Sequence, residues 1–586
     1  MGDAETDQTD LFFHSIAPFR TMATNIQATL STAKRRTVAN LRTKAHLDGW
    51  IVERQATSFA KEGTWSNIDS DVTPLERRTW GSWSLLGFWC SDALNAQGWE
   101  GPSAIIAAGL TWREAIYLSI TGGMVDAIPL MLNGAIGAHY HIPYPIVARA
   151  SFGYYLSRFA VITRMATALF WHAIQSWTGS TAMFQIIRAI WPGFLNIPNR
   201  LPESAGITSN ELIAHFVFFC VQFPILLTPP HKLKYFFAFK TLIVPVVSVA
   251  TVVVMVRKAG GVGDIWNQEY TTSGSARSWI ILNNFSSQCG GWATMATNIP
   301  DFTRYMHSSR GVYWQALFLP VINLLMSMFG VISTSCAKVV YGEYIWSPLE
   351  LAAQWDGPGG RCGAFFVGFC WVVAQIGTNL SASVISCSND LISLFPKYIN
   401  MRRGVILTTF TSCWIMVPWK IVYSASSLLT FMSGLAIFLA PIAALLCTDY
   451  WVVKSRNFDV PALYRRRDRY WYIGGVNWRA AAAFIISVVP NTPGLAKSVN
   501  PRVVINKHIQ HIYDMNYLYG FCSAAIVYYV LNLVFPARET LLESPIYDDI
   551  IVQDGVEIVN DGVQLSSDMK LKNHPEIAIV SDLPSP

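Results

Sequence analysis

The sequence predicts an all-α polytopic membrane protein of 12 transmembrane helices, with spans one and six broken. Three observations lead there. The 586 residues are 52% hydrophobic and only 14% charged, where an average soluble domain is about 25% charged. Twelve stretches are apolar enough to form bilayer-crossing helices of about 20 residues, near 82–110, 113–136, 157–180, 209–228, 236–257, 280–300, 314–339, 364–394, 404–421, 425–450, 476–494 and 515–536. Two of them, five spans apart, carry polar and helix-breaking residues in mid-span.

In chain order, residues 1–79 form a polar N-terminal tail with a basic patch (Lys34, Arg35, Arg36, Arg42, Lys44) and no apolar signal core. Residues 80–536 form the transmembrane domain, and 537–586 an acidic tail poor in aromatics, a composition of disordered segments. Lys570 and Lys572 in that tail are candidate attachment points for ubiquitin and the endocytic machinery. Lys and Arg in short loops mark the cytoplasmic side. They follow even-numbered spans: Lys232 and Lys234, Arg304 and Arg310, Lys397, Arg402 and Arg403, and the run from Lys454 to Arg469. The loop after span seven is acidic instead (Glu343, Glu350, Asp356). Both termini are therefore expected in the cytoplasm of a multi-pass plasma-membrane protein. The net charge of +6 is dispersed over these loops, so nucleic acid is not an expected partner and the lipid bilayer is. Ten cysteines lie scattered without a CxxC pair, which excludes a disulfide framework and a zinc site.

Span one reads GSWSLLGFWCSDALNAQGWEGPSAIIAAGL, with Asp92, Asn95, Gln97, Gly98, Glu100 and Pro102 inside a membrane-length run. Span six reads IILNNFSSQCGGWATMATNIPDFTRY, where the backbone is expected to open at Gly290 and Gly291. Irregular backbone at membrane depth is tolerated only where protein or a watery cavity covers it. Paired interrupted spans point to a transporter's substrate site and to an inverted repeat of five plus five helices.

Trp171 and Gln175 lie four residues apart on span three and so share one helix face. An indole face beside a carboxamide suits a flat polar heterocycle; equally, the pair can pack and bond a neighbouring helix. Trp292 offers a second aromatic wall, or packing alone. Asn298 is placed to bond substrate or to cap freed carbonyls. Span eight carries Thr378, Asn379, Ser381 and Ser383 as pathway-lining or interhelical groups. Intramembrane ionisable groups are costly and usually face an interior, so Asp92, Glu100, Asp126, His172 and Asp301 are candidates for proton coupling. Asp301 can instead clamp Arg304, and Lys240 can snorkel to the cytoplasmic interface. No Walker loop, HExxH or nucleophile elbow occurs, so neither an enzyme nor an ATP-driven pump is expected.

The segments RRTWGSWSLLGFWCSDALN, YHIPYPIVARASFG, GGWATMATNIPDFTRY, NDLISLFPKYINMRRG and GVNWRAAAAF, with the TrpXXXGln of span three, resemble the nucleobase–cation symporter-1 family over about residues 75–535. The fit is to its fungal uracil, allantoin and uridine permease branch. The resemblance implies a leucine-transporter-type fold: ten core helices plus two, alternating access by a rocking bundle, and span ten as outer gate. It implies that Trp171 and Gln175 hold a planar ring and that Trp292 covers the opposite face. The family's span-eight Asn aligns with Ser383 here, a single hydroxyl in place of an amide, which bears on specificity. Where sodium-coupled relatives use a span-eight hydroxyl, Gly377 stands beside Thr378, so a proton is the expected coupling ion, sodium less so, with no other cofactor. A nucleobase or ureide is the expected substrate. The alternatives are a thiamine, pyridoxine or nicotinamide riboside carrier of the same family, or a non-transporting nutrient sensor.

Overall fold

The computed structural model describes residues 50–52, 65–228, 234–263, 266, 273–547, 556–559 and 562–565. The basic N-terminal patch, Lys232, Lys570 and Lys572 lie outside them. The chain divides into two compact units. The smaller comprises Met1–Gln55 and Lys397–Ile399; in it the Val52 N–H donates to the Lys397 carbonyl (3.0 Å). The larger comprises Ala56–Pro396 and Asn400–Pro586 and holds every helix discussed below.

Among the described residues the architecture is helical, apart from a short antiparallel pair, Val556–Val559 with Gly562–Leu565, inside the expected C-terminal tail. Helices stand at each of the 12 predicted stretches. Seven are long and apolar enough to cross a membrane: Trp112–Tyr140, Glu203–Leu226, Tyr235–Ala259, Ser309–Tyr341, Gly357–Leu394, Ala425–Val453 and Asn516–Val534. Spans one, three, six, nine and eleven fall short for identifiable reasons. Span one is two 12-residue halves. Spans three and six are long but polar, and Met401–Phe410 and Trp478–Val488 of spans nine and eleven are short.

Local chemistry sets the ends. Thr111 and Glu114 form a capping box at the start of span two, the Thr111 N–H donating to Glu114 Oε2 (2.8 Å). Arg277 then pairs with Glu114 (2.7 Å) and ties the start of span six to it. Span ten, Ala425–Thr448, passes into a π-turn at Asp449–Val453. There the buried Asp449 carboxylate accepts from Lys454 Nζ (2.5 Å), Ser151 Oγ (2.9 Å) and Tyr528 Oη (2.7 Å), fastening span twelve to the loops.

The two expected breaks differ. Span one is interrupted between Ser82–Ala93 and Ala96–Ala107. Asn95 closes both sides: its Oδ1 accepts from the Gly98 N–H (2.7 Å) and its Nδ2 donates to the Asp92 carbonyl (2.7 Å). In span six the backbone does not open at the double glycine. The helix Gly274–Asn298 runs straight through Gly290 and Gly291, and the interruption is a tight turn at Ile299 before Pro300–Thr303. Pro300 lacks an N–H, so the helix ends ahead of it. Gly290 serves packing instead: a Cβ there would lie 1.9 Å from the Met432 carbonyl oxygen of span ten. Small residues of this kind let membrane helices approach closely.

Span eight changes pitch where its polar residues fall. Its α-helix Gly357–Thr378 gives way to a π-turn at Asn379–Val384, followed by the helix Ile385–Leu394. Such π-segments often mark functional positions.

Candidate functional site

A cavity of about 80 Å³ lies beside the break of span one. Spans one, two, three, six, seven, eight and ten contribute to its wall. Of the candidate binding and coupling residues, Asp92, Trp171, Gln175, Trp292 and Ser383 line it, beside Asn95, Gln97, Gly98 and Pro102 of span one and Gly291 of span six.

Trp171 and Gln175 reach the cavity because one helical turn separates them on Leu156–Ile190. The Trp171 ring meets Phe431 edge-on at 5.5 Å, and its Nε1 has no hydrogen-bond partner. Trp292 is wedged edge-on against Trp89 at 5.6 Å. Each ring therefore has a protein neighbour that fixes its tilt. The Ser383 hydroxyl donates to Gln175 Oε1 (3.4 Å), so spans three and eight meet at the cavity through one polar pair. A second chain of amides joins the same helices behind it: Gln375 Nε2 donates to Gln97 Oε1 (3.0 Å), and Gln97 Nε2 donates to Thr178 Oγ1 (2.9 Å).

Six other candidates sit elsewhere. Asn379 is fully buried and turned toward span four, its Nδ2 donating to Ser176 Oγ (3.1 Å) and Gln222 Oε1 (3.1 Å). The π-turn rotates it away from Ser383. Asn298 is also fully buried. With its amide oriented to satisfy both ends, Nδ2 donates to the Thr294 carbonyl (2.6 Å), while the oxygen accepts from Arg164 (3.2 Å) and Ser386 (2.7 Å). It is a clamp between spans three, six and eight. Asp301 accepts the Tyr144 N–H (3.0 Å), and no ion pair with Arg304 forms. Arg304 instead donates to the Asp69 carbonyl (3.1 Å) and to Tyr305 Oη (2.7 Å). Glu100 lies on the second half of span one near Ser347 and Glu350, outside the cavity wall. Asp126 and His172 are fully buried away from the wall as well.

Lys240 does not snorkel. It is fully buried, and its ammonium donates to the Ser91 carbonyl at the end of the first half of span one and to Thr378 Oγ1 (2.7 Å) of span eight. Gly377 makes the room, since a Cβ there would lie 2.6 Å from Lys240 Cδ. The Lys240 side chain thus bridges spans one, five and eight beside the break of span one.

Sequence reasoning missed Gln288 of span six and Asn323 and Ser327 of span seven, all in the wall. The signal was present: Asn323 and Ser327 are one turn apart in the otherwise apolar run FLPVINLLMSMFG. It also missed the fully buried Arg164–Asp390 ion pair that anchors the Asn298 clamp.

Comparison with known proteins fits this arrangement. Residues 71–520 match the family described as permease for cytosine/purines, uracil, thiamine, allantoin. An uncharacterised permease of Schizosaccharomyces pombe is 35% identical over 482 residues, 82% of this chain and 86% of the relative. The allantoin permease and the uracil permease of Saccharomyces cerevisiae are each 30% identical, covering 85% and 80% of this chain and 80% and 76% of their own length. The structure of Mhp1, a nucleobase-cation-symport-1 family transporter in a closed conformation with bromovinylhydantoin bound, aligns with a TM-score of 0.66 at 20% identity, over 84% of this chain and 99% of that one. That likeness carries the fold. On the family match and these relatives together, the chain belongs to the cytosine/purine, uracil, thiamine and allantoin permease family.

Proposed function

We propose that this permease imports a planar nucleobase-like or ureide compound across the plasma membrane by alternating access, coupled to a proton. All 12 helices would cross the bilayer, with the tails 1–79 and 537–586 in the cytoplasm. One observation carries the substrate class: Trp171, Gln175, Trp292 and Ser383 line a single cavity at the break of span one. Two indoles offer apolar faces to a ring, and a carboxamide with a hydroxyl offers the donor and acceptor that a lactam or ureide edge requires.

The choice of proton over sodium rests on Lys240. Its ammonium already satisfies the Ser91 carbonyl and the Thr378 hydroxyl, oxygens that a hard cation would otherwise need. Asp92 lies in the cavity wall, so loading and unloading a proton on the carboxylate would report the state of span one. The same carboxylate favours a second reading, a carrier of a cationic ring such as thiamine.

Uptake of labelled uracil and allantoin by a permease-deficient fungal host, at pH 5 and pH 7.5 with and without sodium, tests the proposal. Saturable uptake that is faster at acid pH and indifferent to sodium is expected. Uptake that requires sodium and ignores pH would overturn the coupling, and thiamine uptake with neither compound competing would move the cationic reading ahead.

A further inference from the structure

The cavity has more polar wall than a bare ring needs. Gln288 projects into it from span six, and Asn323 and Ser327 project one turn apart from span seven, Gln315–Tyr341. None of the three belongs to the pair formed by Gln175 and Ser383. Gln288 Nε2 is enclosed without a hydrogen-bond partner, and the Asn323 amide makes no hydrogen bond among the described residues. Ser327 Oγ donates to the Asn323 carbonyl (2.6 Å), which leaves its own lone pairs to accept. Asn323 is held by shape alone: Nδ2 is 2.8 Å from where a Cβ on Gly123 would stand, so span two leaves the amide a slot and no partner. Unpartnered amides at membrane depth are costly unless something else satisfies them. Interhelical bonding, the ordinary use of such groups, is absent here.

We infer that Gln288, Asn323 and Ser327 form a second subsite of the cavity that binds a neutral hydrogen-bonding arm on the substrate, so that the transported class is a planar heterocycle bearing a ureido or ribosyl substituent rather than a bare nucleobase. The inference rests on the ring-binding reading above. Its chemistry is specific. Two carboxamides and a hydroxyl supply donors and acceptors in alternation, matching the N–H and C=O groups of a ureido arm or the hydroxyls of a ribose. None of the three carries a charge, so an anionic or cationic arm would find no counter-charge among them.

Two matched pairs test it: hydantoin against allantoin, and uracil against uridine, each bound to the purified full chain at equilibrium. In at least one pair the armed member should bind about tenfold tighter or more, as sites built to bond a polar group reject its absence. Gln288→Leu and Asn323→Leu should each collapse that ratio by weakening the armed member far more than the bare ring, with monodisperse elution like wild type reporting that the variants are folded. Ser327→Ala, a smaller change, should lower the ratio less. Bare rings binding as tightly as armed ones in both pairs would overturn the inference alone, with ring binding intact. Leucine variants that weaken both members alike, together with a Ser327→Ala ratio equal to wild type, would also overturn it. If none of the four compounds binds the wild-type chain, the ring-binding reading itself falls and the subsite with it.

Discussion

Spans one and six carry similar sequence signals and use them differently. Both combine glycines, hydroxyls and a proline in a membrane-length run. In span one the chain does break, and side chains answer freed groups there: Asn95 caps both sides and Lys240 covers the Ser91 carbonyl. In span six the glycine pair stays helical, pressed against span ten, and the chain breaks only before Pro300. Glycines in a membrane-length run therefore do not by themselves mark an open backbone: the break of span one falls at Leu94 and Asn95, and the glycine pair of span six stays helical. Side chains able to satisfy freed carbonyls distinguish the two.

Breaking the contact at Gly290 should have the largest effect. Gly290→Val places a side chain where a Cβ already lies 1.9 Å from the Met432 carbonyl. Overpacking of this kind costs about 1–3 kcal/mol or more, and folded protein at the cell surface should largely disappear. If the glycines instead opened the backbone for transport, the variant would reach the surface in normal amount and fail only in uptake. Surface biotinylation beside uptake separates these outcomes.

Lys240→Met probes the other region. It removes the ammonium and leaves the Ser91 carbonyl with only a long contact from Thr378 Oγ1 (3.4 Å), at a cost of about 1–3 kcal/mol, while the Thr378 hydroxyl keeps its bond to the Ala374 carbonyl (3.0 Å). Uptake should fall steeply and its residual rate should lose the acid-pH dependence. An unchanged pH profile would remove Lys240 from the coupling scheme. The smallest effect is expected from Asn95→Ala, which loses a helix cap worth about 0.5–2 kcal/mol. The thermal midpoint of the purified protein should drop by a few degrees, with uptake reduced rather than abolished. A loss as severe as that at Gly290 would mean that Asn95 does more than cap.

The fold was readable in the sequence because hydropathy at bilayer length is a strong, repeated signal, and the cavity-lining face of span three because four-residue spacing fixes a shared helix face. Asn379 and Ser383 show the limit of that logic. They are four residues apart and would share a face on a regular α-helix, yet the π-turn at Asn379–Val384 sends Asn379 to span four and Ser383 to the cavity. Asn298 and Asp301 were legible as polar groups at a break, but their partners, Arg164, Ser386 and Tyr144, are distant in sequence. Lys240 reads as an interfacial lysine until Gly377, on another helix, is seen to make its slot. These are tertiary facts, and helical period alone does not contain them.

The proposed ring slot between Trp171 and Trp292 is open to a direct test. Equilibrium binding of labelled allantoin or uracil should be compared between the wild-type chain, Trp171→Ala, and Trp177→Ala as a control on the same helix, where Trp177 packs toward His215 and Trp419 instead. Trp171→Ala should weaken binding about tenfold or more, since stacking adds about 0.5–1.5 kcal/mol to the buried area that is lost, while Trp177→Ala leaves it near wild type. Equal binding by all three chains, with the variants folded, would contradict the account.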